Sequence, residues 1–531
     1  MKRKTIATSI AVAAVLAVTP TALSACSGDH YGKISFDAQD TSYAVTSQGG
    51  SAVAYGNYLY FINGTRGYDD SNGSANVWND VVKGALYRAE FNGEKYTDAQ
   101  SLVRFRTAPD SNGLEFKYTA GEDYYGEPIN IVDVTKIAPK TVGTASYERG
   151  GIFIYDNYVY FASPNNLKSS TGTVQTTRTD FFMMPLSGGE PSKLYTTGEG
   201  VDTSASEYAF YKYGGAVYLV VREDTDIVSV RINTRKAKAD DPVRFEVNAT
   251  SVYFPVRDTY YEGISNNTVE DFIYYVRERT DDDVQRTGTV IEAMRPDGAE
   301  TFVVSMANKT ETIEGVRDGM FFYRTTNTVG DTVMAYTNLH DQLMLYSTDY
   351  AAEQEALPAG SKTTHISGQF SKTVSSDITS TYVFRPDILS NEVYMIGVTD
   401  SEIELYEKNG TMRVLCNSTG TPKFIQNNYL YFAGSDSDYY RVPLYKNMDN
   451  YGEAKQLATG TTSAGISCDY AAGYFTYFAQ VDEWADAYAF FYKVDGAEGM
   501  EPQFVGLRTS ADIPTEEQIN GETTDDDTDD A

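Results

Sequence analysis

Side chains that commonly perform chemistry are few in this sequence and do not stand in known catalytic spacings. Histidine occurs three times, at His30, His340 and His365, and none is at metal-ligand spacing from another histidine or from a cysteine. A Gly-x-Ser-x-Gly elbow, a phosphate-binding loop and a dinucleotide fingerprint are also missing from the sequence. The sequence therefore predicts no catalytic residue, no metal site and no cofactor.

Carboxylates are the one abundant reactive group, with 74 Asp and Glu residues. The run Tyr68-Asp69-Asp70-Ser71-Asn72-Gly73 is similar in composition to a calcium loop, but the EF-hand register lacks an acid at its first position. Paired carboxylates can hydrolyse or cleave glycans, although pairs arise by chance among so many acids. A glycan-active hydrolase or lyase is therefore the alternative to a non-catalytic protein.

The N-terminal segment has the features of a bacterial lipoprotein signal. Lys2, Arg3 and Lys4 precede an apolar run over residues 10–18, which is too short to cross a bilayer. The following Leu23-Ser24-Ala25-Cys26 resembles a lipobox, in which the cysteine is acylated and becomes the mature N-terminus. We therefore predict a signal peptide over 1–25, lipidation of Cys26, a tether over 26–44, and a location on the outer face of the cell membrane.

The charge of the chain limits its partners. Its 43 Lys and Arg against 74 Asp and Glu give a net charge of −31, which excludes nucleic acid as an expected partner because phosphate binding needs a basic surface. The last 21 residues carry nine acids and no base, so residues 508–531 are predicted to form a disordered acidic tail. Most of the acidity nevertheless belongs to the body between tether and tail.

One hairpin pattern recurs along that body and predicts its fold. An apolar stretch, a two-residue polar turn and an aromatic-rich stretch form each copy, as in Tyr55-Gly56-Asn57-Tyr58-Leu59-Tyr60-Phe61. Gly, Asn and Asp suit the positive φ angles of a type I′ turn. The eight predicted turns are Gly56-Asn57, Asp156-Asn157, Gly214-Gly215, Glu270-Asp271, Asp318-Gly319, Ser390-Asn391, Asn427-Asn428 and Ala472-Gly473.

Two further strands follow most of these hairpins, so each repeat predicts four antiparallel strands. The expected fold is all-β, a single β-propeller of seven or eight four-stranded antiparallel blades over residues 45–507. Residues 249–255 also fit the hairpin pattern, which leaves the blade borders between about 240 and 270 open. Cys416 and Cys468 fall on different blades, so we expect free buried thiols rather than a disulfide.

The Asn-Tyr-x-Tyr-Phe repeats make the chain similar to bacterial lipoproteins that contain a tandem-repeat propeller of unknown function. That group is related to the YWTD-type propeller of the low-density-lipoprotein receptor. The resemblance covers roughly residues 45–507 and implies the fold. Because only Trp78 and Trp484 are present, the YWTD motif itself is missing, and the resemblance transfers no functional residue.

Connection lengths predict where a binding surface lies. If strand A is the innermost of each blade, the tight A–B and C–D turns share one face. The long segments 62–83 and 162–179 are then B–C connections, and 107–149 and 347–380 are D–A connections, all on the opposite face. Binding residues concentrate on loops of a rigid scaffold. The candidate ligand face consists of Tyr68, Asp69, Asp70, Trp78, Asp80, Asp123, Tyr124, Tyr125, Asp281, Asp282 and Asp283.

Tyr and Trp beside carboxylates suit a cationic, peptide or sugar ligand, whereas the plain alternative is that these loops are solvated insertions. The predicted function is a non-catalytic binding or scaffolding module for a protein or glycan ligand, held at the membrane by its lipid anchor. A subunit of an envelope assembly is a further possibility consistent with the same features.

Overall fold

A computed structural model describes the protein at residues 44–50, 52–63, 85–91, 96–103, 106–108, 118–122, 128–133, 152–164, 179–189, 191–198, 208–255, 259–261, 271–278, 288–307, 312–317, 320–339, 367–374, 377–386, 392–436, 438–458, 469–471, 474–479, 488–493 and 503–504. Most of the described residues are in β-strands, and the named helix among them is the short 3-10 helix Thr234–Lys236. The predicted all-β class is confirmed.

The strands of the N-terminal half are β1 (Ala44–Thr46), β2 (Ala52–Tyr55), β3 (Tyr58–Asn63), β4 (Ala85–Phe91), β5 (Tyr96–Val103), β6 (Arg106–Ala108), β7 (Tyr118–Glu122), β8 (Pro128–Asp133), β9 (Phe153–Tyr155), β10 (Tyr158–Pro164), β11 (Thr179–Pro185), β12 (Ser192–Thr196), β13 (Tyr208–Tyr213), β14 (Ala216–Glu223), β15 (Asp226–Asn233), β16 (Lys238–Ala239), β17 (Val243–Phe245), β18 (Ala249–Tyr253) and β19 (Thr259–Tyr261).

The remaining strands are β20 (Ile273–Glu278), β21 (Thr289–Met294), β22 (Phe302–Ala307), β23 (Thr312–Arg317), β24 (Met320–Thr326), β25 (Thr332–Asn338), β26 (Gly368–Thr373), β27 (Ser380–Phe384), β28 (Tyr394–Val398), β29 (Ile403–Glu407), β30 (Met412–Cys416), β31 (Gly420–Gln426), β32 (Tyr429–Gly434), β33 (Tyr439–Pro443), β34 (Lys455–Ala458), β35 (Asp469–Ala471), β36 (Tyr474–Ala479), β37 (Tyr488–Lys493) and β38 (Gln503–Phe504).

Antiparallel sheets of four strands follow one another along the chain and form a β-propeller. The second to eighth sheets are β9–β12, β13–β17, β18 with β20–β22, β23–β26, β27–β30, β31–β34 and β35–β38. These seven have four strands in series, and the fourth strand of the third sheet is interrupted into β16 and β17. The first sheet is wider, with the order β19-β1-β2-β3-β4-β5. With it, the described strands supply eight sheets, within the predicted range of seven or eight blades.

Contacts between sheets close them into a ring. In each sheet the first of the four serial strands is the innermost, and in the first sheet this strand is β2. Such strands contact one another between sheets: β2 contacts β9, β18 contacts β23, and β27 contacts both β23 and β31. The last sheet meets the first through β35 against β2 and β37 against β3. We label the strands A to D outward. The turn face carries the A–B and C–D connections, and the insertion face carries the B–C and D–A connections.

The repeated tyrosines pack one sheet on the next. The second tyrosine of the repeat is fully buried in four sheets, as Tyr60, Tyr160, Tyr274 and Tyr431. Its ring lies 5.1 Å from Phe210 in the case of Tyr160, and 5.6 Å from Phe475 in the case of Tyr431, between ring centroids. Such aromatic pairs pack neighbouring blades together, which explains why the tyrosine recurs in the repeat.

Six of the predicted two-residue turns are confirmed by strand register. Positive φ angles at Asp156 and Asn157, and at Asn427 and Asn428, are those of type I′ turns. The fifth and eighth sheets also leave two residues between strands A and B, since Arg317 pairs with Met320, and Ala471 with Tyr474.

The predictions at Glu270-Asp271 and Ser390-Asn391 are wrong. Tyr253 pairs with Tyr274 and Phe384 pairs with Tyr394, so longer connections join strands A and B there. In both places the residues directly before the predicted turn cannot form a buried inner strand. Polar residues 265–268 precede one, and Pro386, which lacks an N–H, ends β27 before the other.

Two long segments also differ from their predicted positions or form. Residues 347–380 were expected to form a D–A connection, but β26 is the outer strand of the fifth sheet and β27 the inner strand of the sixth. The long segment is therefore the C–D connection after β25, on the turn face. Residues 107–149 do lie between strand D of the first sheet and strand A of the second, and they contain an added three-stranded sheet of order β6-β8-β7.

Candidate functional site

Strand β1 lies inside the ring, on the inner edge of the first sheet. It pairs antiparallel with β2, with Val45 opposite Tyr55 and Thr46 opposite Ala54. The chain then continues, buried, to the second sheet, where the Gln48 side-chain amide donates to the Ile154 carbonyl at 2.7 Å and its oxygen accepts from the Ile154 N–H at 2.8 Å. Residues 44–50 therefore occupy the central channel beside the first two sheets.

Strand β19 extends this arrangement to the fourth sheet. It belongs to the long connection between strands β18 and β20, and it pairs antiparallel with β1 over three residues. Because Val45 is opposite both Tyr55 and Tyr260, the two added strands meet near the A–B turn of the first sheet. Together, β1 and β19 form a channel bridge that joins the first sheet to the fourth at the turn-face end of the channel.

A tyrosine cluster with one carboxylate lies where sheets two to four meet. The Tyr155 hydroxyl donates to the Phe210 carbonyl at 3.0 Å. Burial, reinforced by neighbours that include Tyr155 and Asp271, raises the pKa of Tyr211 well above its usual value. The Tyr211 hydroxyl is buried without a hydrogen-bond partner in the described structure. The hydroxyl therefore stays protonated near neutral pH.

Two buried charges tie sheets together and are structural. Glu223 is fully buried at the end of β14, where it accepts from the Tyr195 hydroxyl of the second sheet at 2.5 Å and pairs with Arg244. Arg295 is also fully buried. Its guanidinium carbon lies 3.8 Å from the ring centroid of Phe272 and 5.0 Å from that of Tyr213 in the third sheet, and its Nε donates to Glu300 at 2.9 Å. Neither group faces solvent, so neither forms an open site.

The described connections of the insertion face carry only acidic charges. Over their described residues, the B–C and D–A connections of the third, fifth, sixth and seventh sheets contain eight acids and no Lys or Arg. Six of these acids are exposed and two, Glu402 and Asp438, are half-buried. The eight acids are Asp224, Glu246, Asp331, Asp377, Asp400, Glu402, Asp436 and Asp438.

Asp436 shows how such a turn is organised. The Tyr440 hydroxyl donates to one of its carboxylate oxygens at 2.6 Å, and the other oxygen accepts from the Asp438 N–H at 3.2 Å. These bonds, that from Tyr440 first, lower the pKa of Asp436 below its usual value. The carboxylate is thus held ionised on the surface near neutral pH.

The turn face has a mixed charge. Its described connections include the exposed bases Arg235, Lys236, Lys408 and Lys446 together with acids such as Asp297, Asp449 and Glu453. The two faces therefore differ in electrostatic character. We treat the insertion face, above a channel bridged at its other end, as the candidate functional site.

The predicted ligand-face residues all fall outside the described residues. Their flanking strands are described, and these agree with the predicted connections: Tyr68, Asp69, Asp70, Trp78 and Asp80 lie between β3 and β4, and Asp281, Asp282 and Asp283 between β20 and β21. Asp123, Tyr124 and Tyr125 lie between β7 and β8, within the added sheet.

Several single-residue predictions can be compared with the structure. Cys416 is a buried free thiol, as expected, and burial raises its pKa to about 12. Cys26, Cys468 and the three histidines are outside the described ranges. Within those ranges, no group of three or more metal-ligating side chains occurs, and no described helix is both long and apolar enough to cross a membrane.

The sequence reasoning missed the residues that set the character of the site. Short B–C turns carry part of the acidic surface, and the signal for them is the Asp or Glu that the sequence shows in each of these turns. Gln48 was assigned to the propeller without a role, since its partner Ile154 is far away in sequence. No local pattern marks such a contact.

The known proteins that resemble the chain do so at low identity. No protein-family model matches the chain, and no curated protein matches it. Among solved structures, the Dos1 propeller is 9% identical with a TM-score of 0.41, over 85% of this chain and 93% of that chain. An oligogalacturonate lyase in complex with manganese is 11% identical with a TM-score of 0.37, over 73% and 96%.

An acylaminoacyl peptidase from Pyrococcus horikoshii is 10% identical with a TM-score of 0.33, over 67% of this chain and 52% of that chain. The present chain therefore aligns with about half of the length of that peptidase. At these identities and scores, the likenesses carry no argument about function, and the propeller assignment depends on the sheets themselves. The relation to YWTD propellers stays a prediction.

Proposed function

We propose that the protein is an extracytoplasmic lipoprotein, anchored through Cys26, whose propeller binds a protein or glycan ligand without catalysing a reaction. The lipobox-like Leu23-Ser24-Ala25-Cys26 supports the anchor. The propeller supports the binding role, because a rigid ring presents its connections as a continuous surface.

The acidic insertion face is the observation that carries the proposed ligand chemistry. Eight acids without a base on the described connections create a negative potential that attracts cations and repels phosphate polymers. The ligand class that fits is a basic protein surface or a cationic or neutral glycan. The same face lies opposite the end of the channel that is crossed by β1 and β19.

Binding can be tested with chitosan oligosaccharides as a cationic glycan, N-acetylated oligomers as a neutral glycan, and a lysine-rich peptide. The site variant is Asp400→Asn with Glu402→Gln, in one insertion-face turn. The matched control is Asp449→Asn with Glu453→Gln, which removes two acids from the turn face. We expect the site variant to weaken binding of a cationic probe about threefold to tenfold at low salt, and the control to change it less than twofold.

Equal weakening by the two variants would show that net charge, rather than the insertion face, attracts the probe. Binding that is insensitive to both variants and to salt would contradict the electrostatic basis of the proposal.

The anchor is tested separately by labelling cells with radioactive palmitate. Wild type should incorporate label and Cys26→Ala should not. Absence of label from both would contradict anchoring through Cys26.

A glycan-active hydrolase or lyase is the alternative, and reducing-end release from cell-wall and host polysaccharides distinguishes it. If the protein shows turnover, and neutralising one insertion-face carboxylate abolishes it, the result would contradict the binding-module proposal and support the enzyme.

A further inference from the structure

The first described residue of the propeller lies at the turn face. Strand β2 runs from the insertion face to its A–B turn at Gly56-Asn57, and β1 runs in the opposite direction. Val45 is opposite Tyr55, next to that turn, so the chain enters β1 from the turn face. Because β1 lies inside the ring, this entry point is near the propeller axis.

Cys26 precedes Ala44 by 18 peptide units. A flexible chain of that number of units spans roughly 23 Å on average and about 60 Å when fully extended. Four strand spacings separate β1 from the outer strand β5, and the longest strands have eight residues. Passing from the axis around the rim to the insertion face therefore requires roughly 50 Å, which is most of the extended length.

The difference in charge between the two faces also favours the turn face as the one nearer to a membrane. Anionic lipids repel a surface of carboxylates and attract Lys and Arg. The described insertion-face connections of the third, fifth, sixth and seventh sheets carry only acids, whereas the described turn face carries Arg235, Lys236, Lys408 and Lys446 among its acids. A membrane held within reach of both faces would favour contact with the turn face.

We infer that the lipid-anchored protein stands with its turn face toward the membrane and its insertion face directed outward. This inference rests on the proposed anchor at Cys26 and adds the orientation of that same protein. The turn face is then the surface that meets lipid headgroups, and the acidic insertion face is the surface that a soluble or cell-wall ligand meets.

The test compares two labels at opposite ends of one strand. Ser401 is exposed in the B–C turn of the sixth sheet, and Thr411 is exposed in its C–D turn, with β29 between them. Ser401→Cys and Thr411→Cys, each with Cys468→Ser, are labelled with a donor dye and bound to vesicles of phosphatidylethanolamine and phosphatidylglycerol containing an acceptor lipid. Cys416 is buried and should not react in the folded protein.

We expect energy transfer from the label at position 411 to exceed that from position 401 at least twofold. Equal transfer, or stronger transfer from position 401, would overturn the inferred orientation. A second preparation replaces residues 1–26 with a hexahistidine segment and uses nickel-chelating lipids, so that attachment does not depend on acylation.

The two preparations separate the two proposals. If the native protein fails to float with vesicles while the nickel-bound protein shows the expected transfer ratio, the anchor at Cys26 is wrong and the favoured membrane-facing surface is still supported. If both are bound and neither shows the ratio, the orientation is wrong and the anchor stands.

Discussion

Removing the side-chain amide of Gln48 should destabilise the propeller substantially. Gln48 is 5% exposed, and its two hydrogen bonds satisfy both the N–H and the carbonyl of Ile154, which is itself 1% exposed. In Gln48→Ala, both backbone groups would be buried without a partner, and each such loss costs about 1–3 kcal/mol. We expect the free energy of unfolding to fall by about 3 kcal/mol.

Two measurements check this expectation. Urea unfolding should give a lower midpoint for Gln48→Ala, and amide hydrogen exchange should become faster at Ile154, whose N–H loses its acceptor. The control is Gln369→Ala on the exposed side of β26, where a change within about 0.5 kcal/mol is expected. A loss below about 0.5 kcal/mol for Gln48→Ala, with unchanged exchange at Ile154, would refute the assigned role of residues 44–50.

The variant Gln48→Glu separates hydrogen bonding from packing. A carboxylate retains the acceptor for the Ile154 N–H, but it lacks the donor and carries a buried charge. Burial should raise the pKa of this carboxyl in the folded protein above its unfolded value. The folded state then binds the proton more tightly, so the variant should regain stability relative to wild type as the pH falls toward the unfolded pKa, and lose it as the pH rises.

Two further predictions concern packing and a buried thiol. Gly298 has a φ of 79°, and a Cβ there would overlap the Phe245 ring, whereas Gly330 has a φ of 100° and open space. Gly298→Ala should therefore cost about 3 kcal/mol and Gly330→Ala about 1 kcal/mol in urea unfolding; equal costs would contradict the overlap. Burial raises the pKa of Cys416 from 9.0 to about 12, so its contribution to stability is full below pH 9 and is lost as the pH rises toward 12. Thiol reagent at pH 8 should modify Cys416 in urea but not in the folded protein, and modification in both would contradict its burial.

Local rules were enough to predict most of the ring. The φ angles at Asp156 and Asn157 follow from residue types that adopt positive φ at low cost, and the alternating aromatic strands follow from a two-residue period. These features depend on neighbours in sequence. The sheets, the inner position of strand A and the B–C location of most candidate loops could therefore be predicted.

Contacts between distant residues could not be predicted in this way. The inner strand of the fourth sheet, β18, pairs across 19 intervening residues with β20, and the turn-like Glu270-Asp271 suggested a shorter hairpin. The pairing of β1 with β19 joins residues more than 200 positions apart, and three-residue strands leave no periodic signal. The candidate site was predicted only as a face, because its side-chain positions depend on such pairings.

The channel bridge also affects how stability is distributed around the ring. Apart from β19 in the first sheet, each sheet is built from one continuous run of chain. Among the described strands, the last sheet contributes none to the first, and the two meet through contacts such as β35 against β2. In many closed rings a shared strand makes that junction; here β1 and β19 instead connect the first sheet to the second and fourth near the axis.

The hydrophobic core follows the same division. One cluster of buried residues runs from Val45 through the first three sheets to one side of the fourth, at Met294. The other side of the fourth sheet packs with the fifth around Phe321, and later sheets contribute to clusters around Phe322 and Phe432. The first three sheets, the adjoining side of the fourth and the bridge should therefore open together, because they share one core. The junction between β35 and β2 differs from the others because the described sheets that meet there, the last and the first, are not consecutive in the chain.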